Sequence, residues 1–372
     1  MPARTSQRLP QRCATVSLVV ACGREQLRLK LIIEGAESSE GMKQVRNYFF
    51  IAVIALALAG CGGAQINNHL AGAAVLGQST QATPPPQVSA EFQAEVAQIS
   101  ASGLRLKEAL EASLEAGMRH LVAVFKRDNP KEPSQAFEFR IIESDGKAAK
   151  TIFRRTEFFF SLSATGNLGK SNATDLNGDG LKEVFVQSSS GGNCWSCNPT
   201  EVYRVRNHKG ELIAAGPIQK IDDLNGDGLQ ELLVTDTRWE SYDDLSHAAS
   251  PTAVMVYAWR NGQYVYAARD FATFYQSETA RLRAQVEEAK AQITAEEFSD
   301  ELYIGNSIAL AITYAHMGEP ERGVKELETL LKANSRSEVQ SKHRATMIED
   351  FLKGESAKKI REMKYGDAMP IG

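Results

Sequence analysis

The sequence predicts an α+β chain: an antiparallel β-region of about two to three propeller-blade-like units, open and incomplete, flanked by N-terminal and C-terminal helices. Three observations carry this prediction. DLNGDGLKEVFV at Asp175–Val186 returns as DLNGDGLQELLV at Asp223–Val234, an offset of 223 − 175 = 48 residues. Apolar residues alternate with period 2 through much of 120–270, as on strands half-buried in a sheet. Before 120 and after 270 they recur nearer the 3.6-residue period of an amphipathic helix.

Composition narrows the function classes. At 372 residues, 43% apolar and 24% charged, the chain has enough apolar side chains for a sizeable core. A formal net charge of −4, with no Lys/Arg cluster interleaved with aromatics, argues against nucleic acid as a partner. No G-x-S-x-G, H-E-x-x-H or phosphate loop occurs, so no catalytic residue is assigned and a non-enzymatic role is expected.

The most specific targeting signal is internal, MKQVRNYFFIAVIALALAGCGG from Met42. Lys43 and Arg46 form a basic head, and the apolar run Tyr48–Leu58 is too short to span a bilayer comfortably, so 42–60 reads as a signal peptide. Residues 1–41 then read as a non-native upstream extension, with translation starting at Met42; an Arg-rich presequence is the alternative. Leu58-Ala59-Gly60-Cys61 resembles the lipobox of bacterial lipoproteins. That resemblance implies cleavage before Cys61 and its acylation, hence a membrane held through lipid and a cell-envelope location. Gly62 in place of Asp points, by the same resemblance, to the outer membrane; a periplasm-facing anchor is the other option. The competing reading is a transmembrane anchor with an incidental Cys61. Of five cysteines, Cys61, Cys194 and Cys197 are expected to survive processing.

Along the mature chain, 61–87 is small and polar, ends in a proline run, and reads as a tether. In 88–119, Phe92, Val96 and Ile99, then Leu106, Leu110, Leu114 and Met118, fall at helical spacing around Gly103, which predicts one interrupted helix or two short ones. From 120 to 270 strands are expected. Phe137, Phe139 and Ile141 lead into a turn at Ser144–Lys147, and further strands follow both DLNGDG loops and cover 202–205, 212–215, 254–259 and 264–268. Asn261-Gly262 joins the last pair as a hairpin turn. Pro199-Thr200, Val202, Gly210 and Ala215 match Pro251-Thr252, Val254, Gly262 and Ala267 at an offset of 251 − 199 = 52, so the unit is acidic loop, strand, variable loop, hairpin. The region 271–372 is predicted helical, beginning with a charged helix near 275–293. Residues 306–334 resemble one tetratricopeptide-type hairpin on Leu310, Ala311, Tyr314, Gly318 and Leu327, with Gly323 and Ser335 departing from the pattern; a plain helical hairpin is the alternative.

In the acidic loops, side-chain oxygens fall at positions 1, 3, 5 and 9, a set suited to a hard cation that takes six to eight oxygens. Asp175, Asn177, Asp179 and Glu183, with the Leu181 carbonyl, form one candidate calcium site. Asp223, Asn225, Asp227 and Glu231, with the Leu229 carbonyl, form the second. Gly180 and Gly228 are expected at positive φ. An EF-hand is excluded, because position 12 is Val186 or Val234 in a β-type run instead of a bidentate Glu entering a helix. Over about 157–270 the chain resembles FG-GAP and VCBS repeats, the calcium-loop blades of integrin-α-like propellers, with Glu replacing Asp at position 9 and too few blades for a ring. The competing reading is a pair of Asx-type turns without metal.

Cys194-Trp195-Ser196-Cys197 places a C-x-x-C in the first unit's variable loop. Exported, the pair is expected to form a structural disulfide; a redox pair or a zinc half-site are the alternatives. The matching loop of the second unit carries Trp239, Tyr242 and His247, which with Trp195 make a possible ligand loop. The chain is thus expected to be a calcium-binding envelope lipoprotein acting as a binding or scaffold module. The alternatives are an envelope thiol-disulfide or other enzyme and a calcium-dependent glycan or partner adhesin.

Overall fold

The structure is a computed structural model that describes residues 14–22, 25–33, 86–242, 245–292, 297–333, 346, 349–350, 353–362 and 364–369. The chain divides into two compact units, Met1–Ala82 and Thr83–Gly372. In the first, β1 (Ala14–Cys22) and β2 (Glu25–Ile33) pair antiparallel from Ala14↔Ile33 to Cys22↔Glu25. The segments read from sequence as a signal peptide (42–60), as a lipobox ending at Cys61 and as a tether, the last as far as residue 85, lie outside the described residues.

The second unit opens with helix α1 (Ala90–Ala101), and then the expected second helical stretch is a strand instead. This corrects the helical reading of 88–119, and the cause is a bulge. In β3 (Leu104–Ala112) the pairing with β4 (Arg119–Arg127) shifts register between Leu106 and Glu108. Leu104 and Leu106 pack against Phe92 and Ile99 of α1; beyond the bulge Ala109 takes that face, while Leu110 and Ala112 point to the opposite core. One extra residue inverts the alternation, so leucines four apart on a bulged strand imitate a helix stripe.

With β5 (Phe137–Ser144) and β6 (Ala149–Glu157), these strands form a four-stranded meander, β3-β4-β5-β6. A second meander, β7-β9-β10-β11, is built from β7 (Phe159–Ser161), β9 (Glu183–Ser189), β10 (Thr200–Arg206) and β11 (Lys209–Gly216), with the short β8 (Ala173–Thr174) also on β9. The third is β12-β13-β14-β15, from β12 (Ile218–Asp222), β13 (Glu231–Thr235), β14 (Val254–Arg260) and β15 (Gln263–Tyr266). The described part of this unit is therefore α+β, with three antiparallel sheets that do not close.

Successive sheets share cores. Val122, Val124, Phe139 and Ile141 of the first meet Val184, Val186, Tyr203 and Val205 of the second. Phe185, Val202 and Ala214, on the second sheet's other face, meet Leu232, Val234, Val256 and Tyr264 of the third. The second sheet is covered on both sides, which is why Val184-Phe185-Val186 is an unbroken apolar run.

The repeat is visible in the pairing but differs from the sequence alignment. Thr174 pairs with Glu183 as Asp222 pairs with Glu231, preserving the offset of 48. Val184 faces Tyr203 as Leu232 faces Tyr257, so the later strands correspond at 257 − 203 = 54, two residues more than the 52 read from sequence. The turn equivalent to Asn261-Gly262 (φ 51° and 85°) is thus Asn207-His208 (φ 51° and 60°), not Gly210. Gly210 serves a different purpose: a Cβ there would lie 2.6 Å from Phe153 Cβ, so its smallness lets the first two sheets approach.

Helix α2 (Ala272–Gln292) follows β15, then α3 (Glu297–His316), α4 (Pro320–Ala333) and α5 (Glu355–Glu362). Pro320 begins α4, and Gly318, at φ 84°, lies in the turn after α3. Gly323 is a close-approach residue, since a Cβ would lie 2.4 Å from the Ala311 carbonyl. Among the described residues no helix is long and apolar enough to cross a membrane. Backbone bonds from Gly366 and Met369 to β15 cover that sheet's outer edge with the C-terminal segment.

Candidate metal centres

Each acidic loop connects two antiparallel partners, leaving β8 or β12 and ending on the first residue of β9 or β13. In the first loop, Asp175 Oδ1 accepts the N–H groups of Asn177 (3.3 Å) and Gly178 (2.8 Å), and its Oδ2 accepts that of Gly180 (2.9 Å). Asn177 Oδ1 and Asp179 Oδ1 take the N–H groups two residues on, from Asp179 and Leu181, both at 2.9 Å. The second loop repeats this ladder: Asp223 accepts from Gly226, Asp227 and Gly228, Asn225 from Asp227, and Asp227 from Leu229. Gly180 and Gly228 sit at φ 82° and 88°, as expected.

Glu183 and Glu231 are 2% and 1% exposed. Glu183 Oε2 accepts the Leu176 N–H (2.9 Å) and Oε1 the Asn177 amide (2.7 Å), while Glu231 Oε2 accepts the Leu224 N–H (2.8 Å). Burial, reinforced by the charges of Asp179 and Asp175, pushes the Glu183 carboxyl up to about 7 against the opposing Leu176 N–H. Burial, reinforced by Asp227, Asp223 and Asp222, pushes Glu231 to the same value. The two loops touch: Gln230 N–H donates to the Leu176 carbonyl (2.8 Å), and Tyr264 OH to the Gln230 carbonyl (3.3 Å).

The all-oxygen donor set and two buried carboxyls held near neutrality fit a hard cation, whose charge would favour their ionised form. Hydrogen bonds inside the loops occupy some of the same oxygens. Arg206 holds Asp179 Oδ2 at 3.1 Å, and the Asn225 amide donates to Asp227 Oδ2 at 2.9 Å. Among the described residues, one set of three His, Cys, Asp or Glu side chains brings its ligand atoms within 4.8 Å of one another, and it is Glu115, Glu143 and His208, not the acids of either loop. No sequence signal marked that set, because its members come from a loop, a strand and a turn far apart in the chain.

Cys194 and Cys197 are joined by a disulfide within a turn, with Cys197 N–H donating to the Cys194 carbonyl (3.1 Å). The four candidate ligand-loop residues are brought together only in part. The Trp195 and His247 rings lie 5.4 Å apart, and Glu240 Oε1 takes both the Trp195 N–H (2.8 Å) and His247 Nδ1 (2.9 Å). Trp239 is instead a core residue, fully buried, its indole N–H donating to Asp236 Oδ2 (2.8 Å). Tyr242 OH donates to Asp350 Oδ2 (2.6 Å), tying its loop to the C-terminal helices. Trp239 is therefore unsuited to touching a ligand: it anchors the core shared with α2, α3 and α4.

Compared with known proteins, the chain matches no family model, and no curated protein matches it significantly.

Proposed function

We propose that this protein is a calcium-stiffened, non-enzymatic binding or scaffold module, exported and held at the cell envelope by lipid on Cys61. One observation carries the reading: two loops, 48 residues apart, wind their backbones with the same N–H ladder and each delivers a buried Glu at a strand's first residue. Asp175, Asn177, Asp179, Glu183 and the Leu181 carbonyl would hold one calcium ion. Asp223, Asn225, Asp227, Glu231 and the Leu229 carbonyl would hold the other. Bound calcium would offset the mutual repulsion of the acids and stiffen two touching loops at one end of the second and third sheets. The three meanders are then blades of an open, propeller-like stack.

The disulfide supports an oxidising compartment. Its place in a turn between β9 and β10, away from any helix N-terminus, favours a structural over a redox role. The test is a calcium titration by calorimetry against the Asp179→Ala/Asp227→Ala double variant. Saturable binding in the parent that disappears in the variant supports the proposal, and no heat in the parent rejects it.

A further inference from the structure

Where the first sheet meets the β10–β11 turn, Glu115, Glu143 and His208 converge from the β3–β4 loop, β5 and the turn itself. His208 Nδ1 lies 2.9 Å from Glu143 Oε2 and 3.7 Å from Glu115 Oε2. Ligands around a tetrahedral ion at bonds of about 2.1 Å stand roughly 3.4 Å apart, so a small divalent ion needs only slight movement here. Glu115 is already fixed, its two oxygens taking the Asn207 and His208 N–H groups at 2.8 and 3.1 Å.

A second observation points to a missing ligand. The Glu143 side chain is fully buried, and its Oε1 has no hydrogen-bond partner. Lys150 Nζ pairs with that oxygen electrostatically at 3.5 Å, without a hydrogen bond and from a largely exposed side chain. His120, also fully buried, accepts the Leu114 N–H at Nδ1 (3.2 Å), which leaves the proton on Nε2. That Nε2 is unpartnered and faces Glu143 Oε2 from 3.6 Å. Glu143 already bonds His208 through Oε2 and faces Lys150 through Oε1, yet a buried carboxylate with one oxygen lacking a hydrogen bond is costly, and a metal ion is one way such a group is satisfied.

We propose that Glu115, Glu143 and His208 form a site for a zinc-class divalent ion. One imidazole with two carboxylates suits Zn²⁺ better than Ca²⁺, and His208, more than half exposed, leaves a solvent path and an open coordination position. The ion would clasp the first sheet to the second. This site is independent of the acidic loops.

The test titrates ZnCl₂ into the metal-stripped full-length protein by calorimetry, with bound zinc counted after dialysis, for the parent, His208→Asn and Asp179→Ala/Asp227→Ala. Asn tolerates the left-handed conformation at 208, so this variant keeps the turn. The expected result is one zinc per chain in the parent and in the loop variant, excess calcium failing to displace it, and affinity at least about tenfold weaker in His208→Asn. Cobalt substitution should give a visible spectrum that His208→Asn abolishes. No saturable zinc binding in the parent, or unchanged binding in His208→Asn, overturns the proposal.

Discussion

Replacing Glu231 by Gln probes the acidic loops through a change of sign. Glu231 is 1% exposed and its carboxyl is pushed from an ordinary 4.5 up to about 7. Between those values the folded state keeps a proton that the unfolded state has released, so stability falls as pH rises from 4.5 to 7. A rise of about 2.5 units, at about 1.4 kcal/mol each, places the loss near 3 kcal/mol once the group ionises in the fold. Gln mimics the protonated form and its carbonyl can still accept the Leu224 N–H. In chelator at pH 7.5, Glu231→Gln should therefore stabilise the protein by up to about 3 kcal/mol, and at pH 4 the gain should vanish. In millimolar calcium the sign should reverse, because the variant has lost a ligand. Urea denaturation at both pH values, with and without calcium, reads all four cases. A variant less stable than the parent in chelator at pH 7.5, or equally stabilised by calcium, would refute the reasoning.

Other expectations test the frame around the loops. Gly210→Ala places a Cβ against Phe153 and should cost about 1–3 kcal/mol in denaturant unfolding, whereas a neutral result would deny the close approach of the first two sheets. Trp239→Ala should destabilise by about 3–5 kcal/mol, the opposite of what an exposed ligand-binding tryptophan would give. Cys194 and Cys197 should resist thiol labelling until reductant is added, and replacing both by Ser should leave the fold intact. Labelled fatty acid should be incorporated at Cys61 and lost in Cys61→Ser.

Much of the β-region was legible because it obeys local rules. Asn261-Gly262 forms its turn at φ 51° and 85°, and Gly180 and Gly228 take the left-handed conformation their loops require. The C-terminal helices announce themselves through Pro320 and Gly318. What escaped the sequence was set by neighbours. A bulge beside Lys107 reversed the faces of β3 and gave its leucines helical spacing. Gly210 reads as a turn glycine until Phe153 is seen above it. Trp239 sits in an apparently polar loop, yet the helices close over it. The Glu115, Glu143 and His208 cluster has no sequence spacing at all, since only the stacking of two sheets assembles it.

The most direct test of the central claim is the melting temperature of the protein across a calcium titration, run beside Asp179→Ala/Asp227→Ala. Melting that rises with calcium until saturation, falls back in chelator, and stays flat in the double variant is the predicted outcome. Melting indifferent to calcium and chelator in the parent would contradict it, leaving the DLNGDG segments as turns held only by their own hydrogen bonds.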